Sequence, residues 1–219
     1  MAKRKLKSFE ELETFSNVIQ RVFQAEDFDH PRKGKWHDYF ENNNPIVLEL
    51  GCGKGEYTVG LARKYPEKNF IGIDIKGARI WRGAKTALEE NLQNVAFIRT
   101  QVDRIYNFFS PNEVSEIWIT FPDPQSQKTR ERKRLTSPNF LYRYRRVLKP
   151  DGLIHLKTDN HDFFMYTLEI IRENKLELLR HSFDINKDFP NDELLAIETY
   201  YESKFRKKGI PIKYLNFKP

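Results

Sequence analysis

The sequence predicts an α/β chain: a doubly wound, mostly parallel, seven-stranded sheet with a helical extension at its N-terminus. Three observations predict it. Short apolar runs alternate with helix-length amphipathic segments. The first run ends in a glycine cluster, Gly51-Cys52-Gly53-Lys54-Gly55, and the second ends in an acid, Asp74. Strands that alternate with helices form right-handed βαβ units, and these place ligands over the carboxyl ends of the strands near the switch point.

The elements follow in order. Ser8 to about Asp27 reads as a helix, because Ser8-Phe9-Glu10-Glu11 has the form of a capping box. Phe9, Leu12, Phe15, Val18, Ile19, Val22 and Phe23 then recur at helical spacing. His30-Pro31 stops that helix, and Asn42-Asn43-Asn44-Pro45 is a turn. Ile46–Leu50 is the first strand, with a helix through Tyr65 after its glycines. Asn69–Ile73 is the second, followed by a helix from about Gly77 to Asn91. Val95–Thr100 and Val114–Thr120 are the third and fourth. A helix around Phe140–Leu148 leads into the turn Pro150-Asp151-Gly152, the fifth strand Leu153–Thr158 and a helix over Asp162–Arg172. Leu176–Phe183 and Ile212–Phe217 complete the sheet, partly antiparallel. The domain reading is 1–44 as a basic helical extension and 45–219 as the Rossmann-like domain.

The first strand end reads Glu49-Leu50-Gly51-Cys52-Gly53-Lys54-Gly55-Glu56. Glycines there let the backbone turn sharply and approach a ligand closely. A dinucleotide fingerprint would carry a third glycine where this chain has Glu56, and a carboxylate repels a pyrophosphate. The loop therefore suits a ligand with little or no phosphate, such as S-adenosylmethionine (SAM). Asp74 stands at the separation expected of a carboxylate that accepts the ribose hydroxyls. Glu49 is placed to receive the cofactor's ammonium or, alternatively, to accept from loop amides. Gln101, closing the third strand, offers a carbonyl to the adenine amino group. Cys52 has no histidine or second cysteine beside it in sequence and reads as a small loop residue.

Composition narrows the partner. The net charge of +7 and the pI near 9.3 favour a polyanion, nucleic acid first. The single cysteine excludes an internal disulfide and a multi-cysteine zinc site, so no metal is expected, and it suits a reducing cytoplasm. No stretch has the apolar length to cross a bilayer, and no membrane partner is expected.

The fourth strand runs into Phe121-Pro122-Asp123-Pro124, with Lys128, Arg130, Arg132, Lys133 and Arg134 close behind. A carboxylate clamped between prolines and backed by cations suggests a fixed acid at the rim of a site for a polyanion. Here the sequence resembles the tRNA (guanine-N7-)-methyltransferases of the TrmB type. The resemblance runs from Ile46 onward. It rests on LELGCGKG (48–55), GIDI (72–75), FPDP with its basic run ending in Arg134-Leu135, HLKTD (155–159) and Thr199-Tyr200-Tyr201-Glu202.

The resemblance implies a class I SAM-dependent methyltransferase fold and methyl transfer to N7 of a guanine in the tRNA variable loop, at position 46 of the tRNA. It implies that Asp159, Thr199 and Glu202 contact substrate. The methylated purine would be cationic, which makes Asp123 the candidate to stabilise the developing charge, to grip the guanine N1–H and amino edge, or to serve the cofactor. The basic run Lys128–Arg134 reads from its charge as a phosphate-gripping segment, with Lys128, Arg130 and Arg132 as candidate substrate contacts. Gln127 stands where the family carries a substrate-contacting lysine, which leaves Lys128 as the neighbouring cation. Asp159 has a second reading as an N-cap for the helix that follows. Two other classes share parts of the pattern: an NAD-dependent oxidoreductase, disfavoured by Glu56, and a non-catalytic RNA-binding module. Monomer and homodimer both stay open.

Overall fold

The structure, a computed structural model, describes residues 2–20 and 29–219, with side chains described from Ser8 onward. Eight strands form one sheet: β1 (Val18–Gln20), β2 (Ile46–Leu50), β3 (Asn69–Asp74), β4 (Val95–Arg99), β5 (Val114–Thr120), β6 (Leu148–Thr158), β7 (Glu177–Ser182) and β8 (Lys213–Lys218). Their spatial order is β1-β4-β3-β2-β5-β6-β8-β7. The pairs from β1 through β6 are parallel, and β8 runs antiparallel to both β6 and β7. The order reverses between β2 and β5. The mouth of the sheet therefore opens where Leu50 and Thr120 end side by side.

The helices are α1 (Ala2–Glu13), α2 (Trp36–Phe40), α3 (Glu56–Lys64), α4 (Gly77–Glu89), α5 (Pro138–Arg145), α6 (His161–Glu173), α7 (Ile185–Asp188) and α8 (Tyr200–Arg206). They cover both faces of the sheet, because strand side chains alternate between faces. Ile46, Leu48 and Leu50 of β2 join Trp36, Phe140, Phe163 and Phe164 in one core. Val47, between them, joins Tyr57, Ile80, Phe97 and Trp118 in the other.

The eighth strand corrects the expectation at the N-terminus. The helix is α1, which begins before Ser8 and ends at Glu13. Val18 and Ile19 then pair with Phe97 and Ile98 along the open edge of β4. Asn17 fastens the join: its carbonyl accepts from Phe97 N at 2.8 Å, and its Nδ2 donates to Ala84 O at 2.9 Å. A short β-branched run has no periodicity of its own to separate strand from helix, and an unpaired sheet edge decided the matter. Val22 and Phe23 lie outside the described residues. In β6 the expected turn at Pro150-Asp151-Gly152 is a bulge inside one long strand, with Leu148 against Val114 and Leu153 against Glu116.

Mid-sheet, His155 of β6 stacks on Trp118 of β5, ring centroids 4.1 Å apart. Its Nδ1 hydrogen-bonds Tyr214 Oη at 2.8 Å, and its Nε2 lies 3.6 Å from Glu116 Oε2. Burial holds the imidazole neutral, pushing its pKa down to about 4 against the opposing pull of Glu116. A depressed histidine pKa contributes stability that is present above the unfolded value, near 6.5, and is lost as pH falls toward the folded one. At ~1.4 kcal/mol per pKa unit the loss approaches ~3 kcal/mol between pH 6.5 and 4. His155→Gln has no proton to take up, so its denaturation free energy should fall less steeply over that window. Parallel pH profiles for the two proteins would remove His155 as the cause.

Candidate active site

The loop after β2 is built on β3. The amides of Gly51 and Cys52 both donate to Ile73 O, at 2.8 and 3.0 Å, and Gly51, Gly53 and Gly55 all take positive φ. At Gly55 a Cβ would sit 2.6 Å from the Phe97 ring, so only glycine lets the loop close onto the sheet there. Asp74 completes the loop from the neighbouring strand: Oδ2 accepts from Gly53 N at 3.0 Å and Oδ1 from Lys76 N at 2.7 Å. The carboxylate is thereby oriented before any ligand arrives.

Two cavities meet at Gly51. The first, about 620 Å³, is lined by Asp74, Ile75, Thr100, Gln101, Val102, Leu135 and Phe140, with Arg132 and Lys133 at its edge. It joins apolar walls to a carboxylate and an amide side chain. That volume and those side chains suit a nucleoside. The second, about 380 Å³, is lined by Glu49, Gly53, Asp123, Asp159, Thr199 and Tyr201. The two cavities together hold Glu49, Gly51, Gly53, Asp74, Gln101, Asp123 and Asp159, from the ends of the five strands β2 to β6, and Thr199 at the start of α8.

Glu49 is buried beneath the cleft. Thr58 N donates to Oε2 at 2.9 Å, Thr58 Oγ1 donates to the same oxygen, and Thr120 Oγ1 donates to Oε1 at 2.5 Å. Burial nevertheless pushes its pKa up to about 7. A cation beside it would hold it as the carboxylate. Cys52 is buried as well, and burial pushes its thiol well above the ordinary value, so it is not a nucleophile here.

Asp123 is exposed in the cleft, and Gln125 N donates to its Oδ1 at 3.0 Å. Phe121 and Gln125 on either side of the Pro-Asp-Pro unit take positive φ, and Phe121 N donates to Lys157 O at 2.8 Å. The acid therefore sits on a turn pinned at both ends. Asp159 is half-buried, and burial raises its pKa. It is not the cap of α6; Asn160 is, accepting from Phe163 N at 2.8 Å. That leaves the Asp159 carboxyl at the cleft wall.

The C-terminal segment supplies the far wall. Thr199 caps α8, its Oγ1 accepting from Glu202 N at 3.2 Å. Glu56, read in the sequence only as an obstacle to pyrophosphate, accepts from Tyr200 N at 2.7 Å and ties α3 to α8. Glu202 departs from its expected substrate contact. It has no exposed surface, and its carboxylate is occupied by Lys157 Nζ at 2.7 Å and Arg206 Nη2 at 2.6 Å. The structure gives it a positioning role. Lys128 and Arg130 lie on the exposed 3-10 turn Lys128–Lys133, with Gln127 just ahead of it, all outside the cleft lining, while Arg132 reaches the cavity edge.

Sequence reasoning missed Lys157, Tyr201, Phe205, Lys76 and Arg79. Lys157 and Tyr201 stood inside motifs already singled out. Phe205 stacks on Phe121 across the second cavity, centroids 5.9 Å apart, a contact invisible before folding.

Residues 43–215 match a family model described as a putative methyltransferase. The chain is similar in fold to the crystal structure of the 16S rRNA methyltransferase KamB, with a TM-score of 0.66 at 16% identity over 92% of this chain and 97% of that one. It is also similar to a SAM-dependent methyltransferase from Aquifex aeolicus, with a TM-score of 0.55 at 16% identity over 86% and 93% of the two chains. The fold and the family match together define a methyltransferase of the doubly wound class.

Its relatives narrow the class. A protein of Christiangramia forsetii named tRNA (guanine-N(7)-)-methyltransferase is 56% identical over 99% of this chain and 98% of its own length. One of Bacteroides thetaiotaomicron with the same name is 49% identical over 100% and 86%. This chain belongs to the tRNA (guanine-N(7)-)-methyltransferase family.

Proposed function

We propose that this chain transfers a methyl group from SAM to N7 of a guanine in the tRNA variable loop, at position 46 of the tRNA, and that it acts in the cytoplasm. The observation that carries the reading is the meeting of the two cavities at Gly51. A pocket with the side chains for a nucleoside shares Gly51 with a cleft lined by Asp123, Asp159 and Thr199. No helix among the described residues is long and apolar enough to cross a membrane. We take residues 1–44 as an extension that adds β1 to the sheet of the 45–219 catalytic domain.

The residues present fit the cofactor. Asp74 offers its oxygens to the ribose hydroxyls, Gln101 its carbonyl to the adenine amine, and Glu49 its carboxylate to the ammonium. SAM, when bound, supplies an electrophilic methyl group carried on a positively charged sulfur. Guanine N7 has an in-plane lone pair, so the chain needs no general base to make the nucleophile. The product ring is cationic, and Asp123 is fixed where negative charge would stabilise it as it forms. Asp159 adds a second acceptor for the base.

Asp74→Ala is expected to weaken SAM binding by ~1.5–3 kcal/mol, the range for hydrogen bonds to a charged group. Unchanged affinity in titration calorimetry would remove Asp74 from the cofactor site. The function itself is tested by incubating the protein with SAM and unmodified tRNA and identifying the modified nucleoside by mass spectrometry. N7-methylguanosine at position 46 is expected. A base methylated on an exocyclic amine, or thermal stabilisation by NAD but not by SAM, would overturn the reading.

A further inference from the structure

A second basic surface meets the cleft, and it is not the run behind Asp123. Lys54, Lys76 and Arg79 line the catalytic cavity. Lys54 and Arg82 line a further groove of about 580 Å³, bounded by α3, α4 and Ile197–Tyr200. On α4 and its N-cap, Lys76, Arg79 and Arg82 recur at every third position, which puts them along one side of the helix. All three are exposed.

The pairing of charges separates this row from an ordinary solvated helix face. At the groove's far end Arg63 is ion-paired with Glu90 and Lys64 with Glu193. The groove's own carboxylates are likewise engaged: Glu56 accepts from Tyr200 N, and Glu198 pairs with Arg206. Among the described residues, no carboxylate pairs with Lys54, Lys76, Arg79 or Arg82; Lys54 Nζ lies 3.9 Å over the Tyr200 ring. The unbalanced cations therefore lie at the end of the groove that joins the active cleft.

Position fixes what they meet. The basic run Lys128–Lys133 leads into α5, on the sheet face of the first core, whereas α3 and α4 cover the other face. A strand threading the cleft would be met by cations on both faces. From Lys76 to Arg82 the helix rises ~9 Å, the length over which a stacked strand presents about two to three phosphates. Half or more of the hydrogen bonds to nucleic acid go to phosphates and sugars, and an exposed row of arginines and lysines along a helix supplies contacts of that kind, which fix register rather than read bases.

We propose that Lys54, Lys76, Arg79 and Arg82 form a phosphate-tracking strip that carries the RNA strand out of the cleft along the α3–α4 groove, on one side of the target guanine. The strip rests on the proposed function for the identity of its RNA. It explains how a single-domain enzyme can orient tRNA by shape, with phosphate contacts flanking the target base rather than beside it alone.

The test is the salt dependence of binding to unmodified tRNA, for wild type, Arg79→Ala/Arg82→Ala and Arg79→Lys/Arg82→Lys. The alanine variant should lower the slope of log K against log[salt] by about 1.5, because two phosphates go un-neutralised, and weaken binding about tenfold or more near 0.1 M salt. The lysine variant should keep the slope. Both should retain the wild-type melting temperature, and Arg82→Ala alone, outside both cavities, the wild-type SAM affinity. An unchanged slope in the alanine variant, or an equal loss in the lysine variant, would overturn the strip. Arg82→Ala alone, outside the catalytic cavity, should show about half the slope change, and no change there would also count against it. Methylation is read separately. A wild type that binds tRNA through these residues without transferring methyl would overturn the proposed function and leave the strip standing.

Discussion

Asp123→Asn is expected to slow methyl transfer by ~10²-fold or more while leaving tRNA affinity close to wild type. The substitution keeps shape and removes one negative charge. Pro122 and Pro124 hold φ near −65°, and Pro124 also restricts Asp123 toward extended conformations. Gln125 N donates to Asp123 Oδ1 at 3.0 Å, so the carboxylate has few orientations to lose when substrate arrives. Such preorganised charge is worth ~2.7–4 kcal/mol where it faces charge that develops only in the transition state. Under the proposed function, affinity for tRNA rests on the cationic surfaces and should change far less. Single-turnover methylation at saturating SAM is the deciding measurement. If saturation restores the wild-type rate, Asp123 serves the cofactor and not the reacting base.

The second large effect is expected at Lys157, far from any contact with solvent. Its ammonium donates to Leu195 O at 2.8 Å and Ile197 O at 2.9 Å, and it pairs with Glu202 at 2.7 Å. Both side chains of the pair are fully buried. Burial pulls the lysine pKa down and Glu202 pulls it back up. One side chain of β6 thereby fastens the whole segment that carries Thr199, Tyr201 and Phe205 to the cleft. Lys157→Met fills similar space but leaves Glu202 buried with only Arg206 for a partner, and leaves two carbonyls without their donor. Removing one member of a buried pair costs ~3–5 kcal/mol, and Arg206 should keep the loss toward the lower end. Lys157→Met/Glu202→Gln should be less destabilised than the two single variants added together, because neither charge is then stranded. Chemical denaturation of the four proteins measures this. A loss below ~1 kcal/mol for Lys157→Met would show that the pair does not hold the wall.

Much of the cleft was legible before folding because its chemistry is local in the chain. Gly51, Gly53, Asp74 and Gln101 sit at successive strand ends, and a parallel sheet brings strand ends together by construction. Asp123 announced itself through its flanking prolines, whose constraint on the backbone acts without any tertiary partner. Net charge named the kind of substrate for the same reason, since a sum over residues does not depend on where they lie.

What tertiary structure alone decided were the outcomes of competition between distant partners. Val18 and Ile19 suit a helix or a strand about equally, and the unpaired edge of β4 chose the strand. Glu202 was expected at the substrate through the resemblance, and Lys157 carried no expectation of its own. They are buried because packing α8 onto the sheet removed water from both at once, and each supplied the neutralising partner that made the other's burial tolerable. The sequence determines which groups are available within a strand end or a turn. Which of two competing groups is used depends on a partner tens of residues away, whose position exists only after the sheet has closed.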